Sequence, residues 1–519
     1  MIDPISRLAH VGLLAAACLL PIPALGADGD VRLADAAARH DVAAVRDLLG
    51  QGVDVDAPGT DGTPALHWAV HLGDPVMTEL LLDAGADATR SNRYGVTPLA
   101  LAASSGNAAL VARLVDAGAD PNARDQAGDT ALMGAARVGS ADTAGLLLDL
   151  GATLEATEET YGQTALTVAV QANHPAVVDL LLARGASPHV TTRVGRTPSW
   201  VLPNSVPGFG HGVGIVRGGL PDRGQRPPVA GGMTPLHYAA RDGRLDIAAA
   251  LLGAGAGIDP REANDLTPLL LAIVNNHVDV AHFLVARGAD VQATDWYGRT
   301  PLWTAVETRN MDLDNASFEN SIDREPFLAL IRELLDRGVD PDVRMREWPP
   351  VRRAFLRATS DLSWVDFTGQ TAFLKAALHG DVAVMRLLLD HGADPTIPTF
   401  GGTTALMAAA GINWVVDQTY DEGPEALLEA VALCADLGLD VNAINSMGLT
   451  AMHGAANRGS DHIIRFLASR GARLDVADNE GRTPLTWAEG VFLATHPARP
   501  KPGTIALIED LEVGQEARR

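Results

Sequence analysis

The chain has 519 residues, with 40 Lys and Arg against 64 Asp and Glu and a formal net charge of −24. Such acidity repels phosphate backbones and argues against non-specific nucleic-acid binding. An apolar fraction of 47% excludes wholesale disorder, and an aromatic share of 4% implies a core of Ala, Leu and Val. Of the basic residues only Lys375 and Lys501 are lysines, so polybasic tails are absent. Two cysteines, Cys18 and Cys434, build neither a disulfide framework nor a Cys-based zinc site.

Residues 1–26 carry Arg7, an apolar run from Leu8 to Leu20, then Pro21, Pro23 and Ala24-Leu25-Gly26. A basic start, a short apolar middle and small residues before Ala27 predict a cleavable secretory signal peptide. A membrane anchor would need about 20 apolar residues without two prolines. The expected location is therefore periplasmic or secreted, and no later segment is long and apolar enough to span a bilayer.

From Pro64 onward one phrase recurs. It reads Thr97-Pro98-Leu99-Ala100-Leu101-Ala102-Ala103, Thr234-Pro235-Leu236-His237-Tyr238-Ala239-Ala240 and Thr450-Ala451-Met452-His453-Gly454-Ala455-Ala456, with eight variants elsewhere. Its third residue falls at 66, 99, 132, 166, 236, 269, 302, 373, 406, 452 and 485, so most intervals are 33 residues. A Gly-Ala-Asp phrase or its variant follows most markers by 19 residues, as at Gly85, Gly118 and Gly288. Thr caps a first helix, Pro fits its first turn, and Leu-x-x-Ala-Ala gives it a small packing face. A second helix with paired or tripled Leu follows, exemplified by Val76–Ala84 and Val382–Asp390. Gly ends that helix in the left-handed conformation, and Asp, Asn and Gly turn the chain toward the next phrase. Neither helix buries its apolar face alone, so the units must stack.

This pattern resembles the ankyrin-repeat family, whose 33-residue repeat carries Thr-Pro-Leu-His-x-Ala-Ala, and an exported bacterial member in particular. The resemblance spans about residues 31–515 and implies an all-α solenoid of eleven to twelve helix-turn-helix repeats joined by β-turn fingers. It divides the chain into a capping repeat at 27–60, repeats at 61–193, 231–343 and 367–480, and a C-terminal cap with tail at 481–519.

Departures from the period locate four insertions. Some 37 extra residues at 194–230 and 21 within 344–366 lengthen two fingers. Another 17 near 308–324 and 13 near 411–423 part the two helices of their repeats. In the family's geometry the finger insertions share one edge and the inter-helix insertions the opposite one. Residues 194–230 and 344–364 each carry +3, whereas 308–324 carries −2 and 411–423 carries −3.

Asp295-Trp296-Tyr297-Gly298-Arg299 forms the finger between the two long ones, and an exposed Trp-Tyr-x-Arg tip has the composition of an interface hot spot. With Trp303, Tyr238 and Arg241 on first helices, and Trp200, Arg217, Arg346, Trp348, Arg352 and Arg353 in the long fingers, it outlines a partner-binding groove. The resulting expectation is a monomeric, non-catalytic scaffold that binds an exported protein with an acidic patch. The alternative is a small-molecule or glycan binder, or a cryptic hydrolase, with its pocket under residues 194–230. A secreted effector acting in a host cell is a third reading that no residue favours.

Catalytic, cofactor and metal sites are not expected. His67, His237 and His453 occupy the signature histidine position, where the family uses them to join neighbouring turns. No His-Glu-x-x-His, paired-Cys or Gly-x-Ser-x-Gly spacing occurs. Gly208–Gly214 lacks the strand and helix that a phosphate loop needs.

Overall fold

The computed structural model describes residues 30–196, 229–310, 324–347, 365–366, 368–413, 422–491 and 499–516. The segment 1–26, and most of the four insertions, lie outside them. Twenty-four helices occur among the described residues, together with one antiparallel pair of two-residue strands, Gly195–Arg196 with Val229–Ala230. The chain divides into two compact units. The first holds the described residues up to Val194 with Gly231–Glu262, and the second holds Gly195–Ala230 with Ala263 onward.

In the first unit six helix pairs follow one another: α1 (Arg32–Ala38) and α2 (Val42–Gly50), α3 (Ala65–His71) and α4 (Pro75–Asp83), α5 (Pro98–Ser104) and α6 (Ala108–Asp116), α7 (Ala131–Val138) and α8 (Ala141–Asp149), α9 (Ala165–Ala172) and α10 (Pro175–Ala183), and α11 (Pro235–Arg241) and α12 (Leu245–Gly253). The second unit continues with α13 (Pro268–Val274) and α14 (Val278–Ala286), α15 (Pro301–Arg309) and α16 (Arg324–Asp336), α17 (Ala372–His379) and α18 (Val382–Asp390), α19 (Ala405–Ala410) and α20 (Pro424–Asp436), α21 (Ala451–Arg458) and α22 (Asp461–Ser469), and α23 (Pro484–Gly490) and α24 (Pro502–Glu516).

Local chemistry fixes both ends of each pair. The hydroxyls of Thr97, Thr130, Thr267, Thr300 and Thr371 accept the backbone N–H three residues on and start the first helices. Second helices end at glycines such as Gly85, where φ is +91° and a side chain would be strained. Small first-helix residues let neighbouring helices approach closely, and the recurrent Leu66, Leu99, Leu132 and Leu166 are almost wholly buried, as are Leu269, Leu302, Phe373 and Leu406 in the second unit.

Two of the signature histidines, His67 and His453, join consecutive repeats. His453 Nδ1 accepts the Thr450 N–H at 3.0 Å, and its Nε2–H donates to the Arg482 carbonyl at 3.2 Å. His67 makes the second bond, to the Val96 carbonyl at 3.0 Å, but Pro64 replaces the capping Thr and leaves Nδ1 without a partner. Burial pushes the His67 pKa down to about 4, against the opposing pull of the Val96 bond. A depressed histidine binds its proton more readily when unfolded, so stability is lost as pH falls from about 6.5 toward 4. The wild-type urea midpoint should therefore fall more steeply over that window than the midpoint of His67→Gln, by an amount equivalent to about 3 kcal/mol in all.

Candidate functional site

Turns between repeats are built by one side chain at their first position. In the second unit Asp295 Oδ1 accepts the Arg299 N–H at 2.8 Å, and Asp295 Oδ2 accepts Arg299 Nε–H at 2.7 Å. Both side chains are buried, so this is a closed ion pair within the turn. The expectation that Arg299 is displayed at an exposed tip is corrected: the guanidinium turns inward because Asp295 is the carboxylate that closes the turn. Its carbon still lies 5.5 Å from the centre of the Tyr297 ring.

Trp296 and Tyr297 are half-buried rather than fully displayed. Their rings meet edge to face with centroids 5.1 Å apart and planes at 86°. The Trp296 N–H donates to the Asn264 carbonyl at 3.0 Å, and the Tyr297 carbonyl accepts from Arg346 N–H at 2.8 Å. Gly298 has φ +83°, and a Cβ there would stand 2.8 Å from Arg346 N, so glycine is required for this close approach. Arg346 itself is exposed, with Nη2 donating to Thr294 Oγ1 at 3.4 Å. The two aromatic rings thus stand on a base fixed from both sides.

Trp303 is 2% exposed, which corrects its assignment to an open binding surface. Lys375 Nζ lies 5.5 Å from its ring centre and 3.6 Å from Glu307 Oε1, so the lysine and its ion pair stand over the indole. Tyr238, in the first unit, is likewise buried: Arg241 lies 4.7 Å from its ring centre and is held by a two-pronged pair with Asp242. Trp200, Arg217, Trp348, Arg352 and Arg353 lie outside the described residues, as does residue span 197–228, where the alternative pocket was expected. A cavity lined by Ala88, Thr97, Leu99 and Ala119 measures about 20 Å³, room for about one water.

Sequence reasoning missed Phe400, which is 49% exposed in the second unit. The Arg344 guanidinium lies 4.2 Å from its ring centre, and its N–H groups donate to the Gly369 and Pro398 carbonyls. Phe400 lies across Gly369, as Arg346 lies across Gly298. The available signal was an aromatic directly before Gly401-Gly402 in the turn between repeats.

A buried ionic cluster also went unseen. Asp381 Oδ2 accepts from Arg309 Nε at 2.8 Å, from Asn310 Nδ2 at 3.1 Å and from Arg324 Nη2 at 3.1 Å. Arg324 further pairs with Glu422 and donates to Asn310 Oδ1 at 2.8 Å. Asn310 and Arg324 bound the segment 311–323, and Glu422 follows 414–421. Among the described residues no group of three or more His, Cys, Asp or Glu could hold a metal ion. Cys434 is fully buried, and burial pushes its thiol up to about 12, so it stays protonated and unreactive. Among the same residues no helix is long and apolar enough to cross a membrane.

Paired helices, Thr-capped and stacked through small residues, define an α-helical repeat array that carries its distinctive side chains on the turns. A profile described as "Ankyrin repeats (3 copies)" matches residues 33–125, 106–192, 219–295, 236–315 and 425–490, and a single "Ankyrin repeat" profile matches 368–397. These matches cover more than half of the chain, which belongs to the ankyrin-repeat family. Similar curated proteins include ankyrin repeat and SOCS box protein 3 of Bos taurus, 28% identical over 178 residues that make up 31% of each chain. The Homo sapiens protein of that name is 26% identical over 178 residues, 31% of this chain and 32% of its own. The inactive serine/threonine-protein kinase TEX14 of Bos taurus is 32% identical over 102 residues, 19% of this chain and 7% of its own. The match thus spans a third or less of each relative. Ankyrin repeats generally mediate protein–protein interaction.

Proposed function

We propose that the chain is a non-catalytic, exported scaffold of eleven to twelve repeats that binds one partner protein through the finger side of its second unit. The anchor is the turn carrying Trp296 and Tyr297. The observation that carries this reading is the preformed base of that turn: the buried Asp295–Arg299 pair and the Arg346–Tyr297 backbone bond fix the backbone that carries two large rings, which meet each other edge to face. Rings already ordered lose little conformational freedom on binding, which favours affinity. Exposed Arg346 and half-buried Arg344 add positive charge on a protein of net −24, so the partner presents acidic groups around an apolar contact. The composition of residues 1–26 supports export to the periplasm or beyond, where the mature protein acts as a monomer.

Affinity capture by the wild-type chain, beside a Trp296→Ala/Tyr297→Ala variant, tests the reading. Truncating an anchoring tryptophan costs about 2 kcal/mol or more, a loss of about 30-fold or more in affinity. One stoichiometric protein should therefore be retained by the wild type and lost from the variant. An identical catch from both would exclude this turn as the anchor.

A further inference from the structure

Four residues after the glycine that ends a second helix, a side chain reaches to the next repeat, and it is of two chemical kinds. In three turns it is an amide that bonds both ways. Asn122 Oδ1 accepts the Thr153 N–H at 2.7 Å, while its Nδ2–H donates to the Gly151 carbonyl at 3.0 Å. Asn442 likewise accepts the Arg473 N–H at 2.8 Å and donates to the Gly471 carbonyl at 3.1 Å. Gln292 accepts the Asp340 N–H at 3.4 Å and donates to the Gly338 carbonyl at 2.9 Å.

At Asp342, in the second unit, a carboxylate holds the same place. Its Oδ1 and Oδ2 lie 2.9 Å and 3.2 Å from the single backbone N of Asp394. Asp56 meets the Asp87 N in the same forked way, at 3.1 Å and 3.3 Å. An ionised carboxylate has no proton to donate. It therefore makes no bond to the Gly392 carbonyl of the kind that the amides make to Gly151, Gly338 and Gly471.

The charged groups around Asp342 come from three turns. Asp340 Oδ1, on the same turn, accepts the Asp342 N–H at 2.9 Å. On the next turn, the Thr396 hydroxyl and N–H donate to Asp394 at 2.6 Å and 2.8 Å and hold its carboxyl below the ordinary carboxylate range. On the preceding turn Asp290 accepts the Gln292 N–H at 2.9 Å. Arg344 is engaged by the Gly369 and Pro398 carbonyls, and His391, which precedes Gly392, meets Asp336 at 3.1 Å. The Leu387 carbonyl, and after it Asp336, raise the His391 pKa above 6.5, so that ring is mostly charged at acid pH. Partial burial above all, with repulsion from Asp340 and Asp394, raises the Asp342 pKa against the pull of the Asp394 bond. A proton added between these two turns therefore goes to Asp342 rather than to Asp394.

We propose that Asp342 is a proton-operated joint between two repeats: ionised, it accepts one N–H, and protonated, it also donates from Oδ2 to the Gly392 carbonyl and joins the turns as an amide does. The proton comes from solvent, and no covalent bond changes. Because folding raises this pKa, the proton adds stability that is present in full below about 3.9 and is lost as pH rises through the folded value. Asp342 and Asp394 stand at the bases of the turns that carry Arg344, Arg346 and Phe400. Acid regulation of partner binding through these turns rests on the proposed function, whereas the joint is tested without a partner, so the two fail separately.

Hydrogen exchange of the full-length chain, followed by mass spectrometry on residues 390–400, tests the joint, since that segment keeps its sequence when residue 342 is changed. Near pH 6, Asp342→Asn should slow exchange there about fivefold relative to wild type, the effect of one further hydrogen bond. Near pH 4 the ratio should fall below about twofold, because the wild-type carboxyl then carries its own proton. The difference near pH 6 should survive about 1 M salt, which screens repulsion beyond about 3 Å and leaves a hydrogen bond in place. Asp340→Asn, which removes a neighbouring charge without adding a donor at 342, should change exchange less than about twofold. Asn122→Asp, in the first unit, should do the reverse of Asp342→Asn, with faster exchange of residues 150–154 near pH 6 that recovers near pH 4. Circular dichroism of each variant confirms that it is folded. Equal exchange of wild type and Asp342→Asn near pH 6, an undiminished ratio near pH 4, loss of the difference in salt, an equal effect of Asp340→Asn, or an Asn122→Asp effect independent of pH would overturn the proposal.

Discussion

Asp381→Ala should destabilise the second unit by about 3–5 kcal/mol, the cost of leaving buried charge uncompensated. The carboxylate is 2% exposed and collects three donors on Oδ2, from Arg309, Asn310 and Arg324. Its other oxygen accepts the Val384 N–H at 3.3 Å and caps the helix Val382–Asp390. Removing it strands Arg309, itself 5% exposed, and takes the cap away with the ion pair. Arg386→Ala should cost less than about 1 kcal/mol, because the Arg386–Glu429 pair is solvent-exposed on both sides. Urea unfolding followed by tryptophan fluorescence measures both. A shift below about 1 kcal/mol for Asp381→Ala would mean that the cluster is solvated and not a structural centre.

Phe373→Ala should cost a similar amount, about 3–5 kcal/mol, for a different reason. Phe373 is 1% exposed in the helix Ala372–His379, which packs between Pro301–Arg309 and Ala405–Ala410. It stands where Leu99, Leu236, Leu302 and Leu406 stand in other repeats. Truncation leaves a cavity between two neighbouring helices whose own buried contacts hold them in the stack. Phe373→Leu restores the side chain that most repeats use and should cost under about 1.5 kcal/mol. In an array stabilised by nearest-neighbour contacts, the alanine variant should also separate the unfolding of segments on either side of it. Equal midpoints for the Ala and Leu variants would show that this position is not close-packed.

Most of the helical scaffold was legible because its determinants are local. Thr97, Thr267 and Thr300 cap helices at the positions the recurrent phrase assigns, and Gly85 takes the left-handed conformation expected of it. His453 bridges repeats because Thr450 stands three residues before it, a relation visible along the chain. The candidate site was less legible because its details depend on residues far apart in sequence. Trp303 was expected on an open surface, yet Lys375 reaches it from 72 residues away. Arg299 was assigned to the tip because it follows Gly298, whereas the carboxylate four residues earlier draws it inward. Asp381 meets Arg309 and Arg324 across 72 and 57 residues, a distance that no spacing rule anticipates. Phe400 was within reach of sequence reasoning, since it directly precedes a glycine in its turn.

The central claim is that the second unit binds a partner protein through the turn bearing Trp296 and Tyr297. Hydrogen exchange of the full-length chain, with and without the protein it retains in affinity capture, tests this most directly. The account predicts that protection on binding concentrates in residues 294–299 and 344–347, where the rings and Arg346 meet the partner. Protection confined to the second helices, with those turns exchanging as in the free chain, would contradict it.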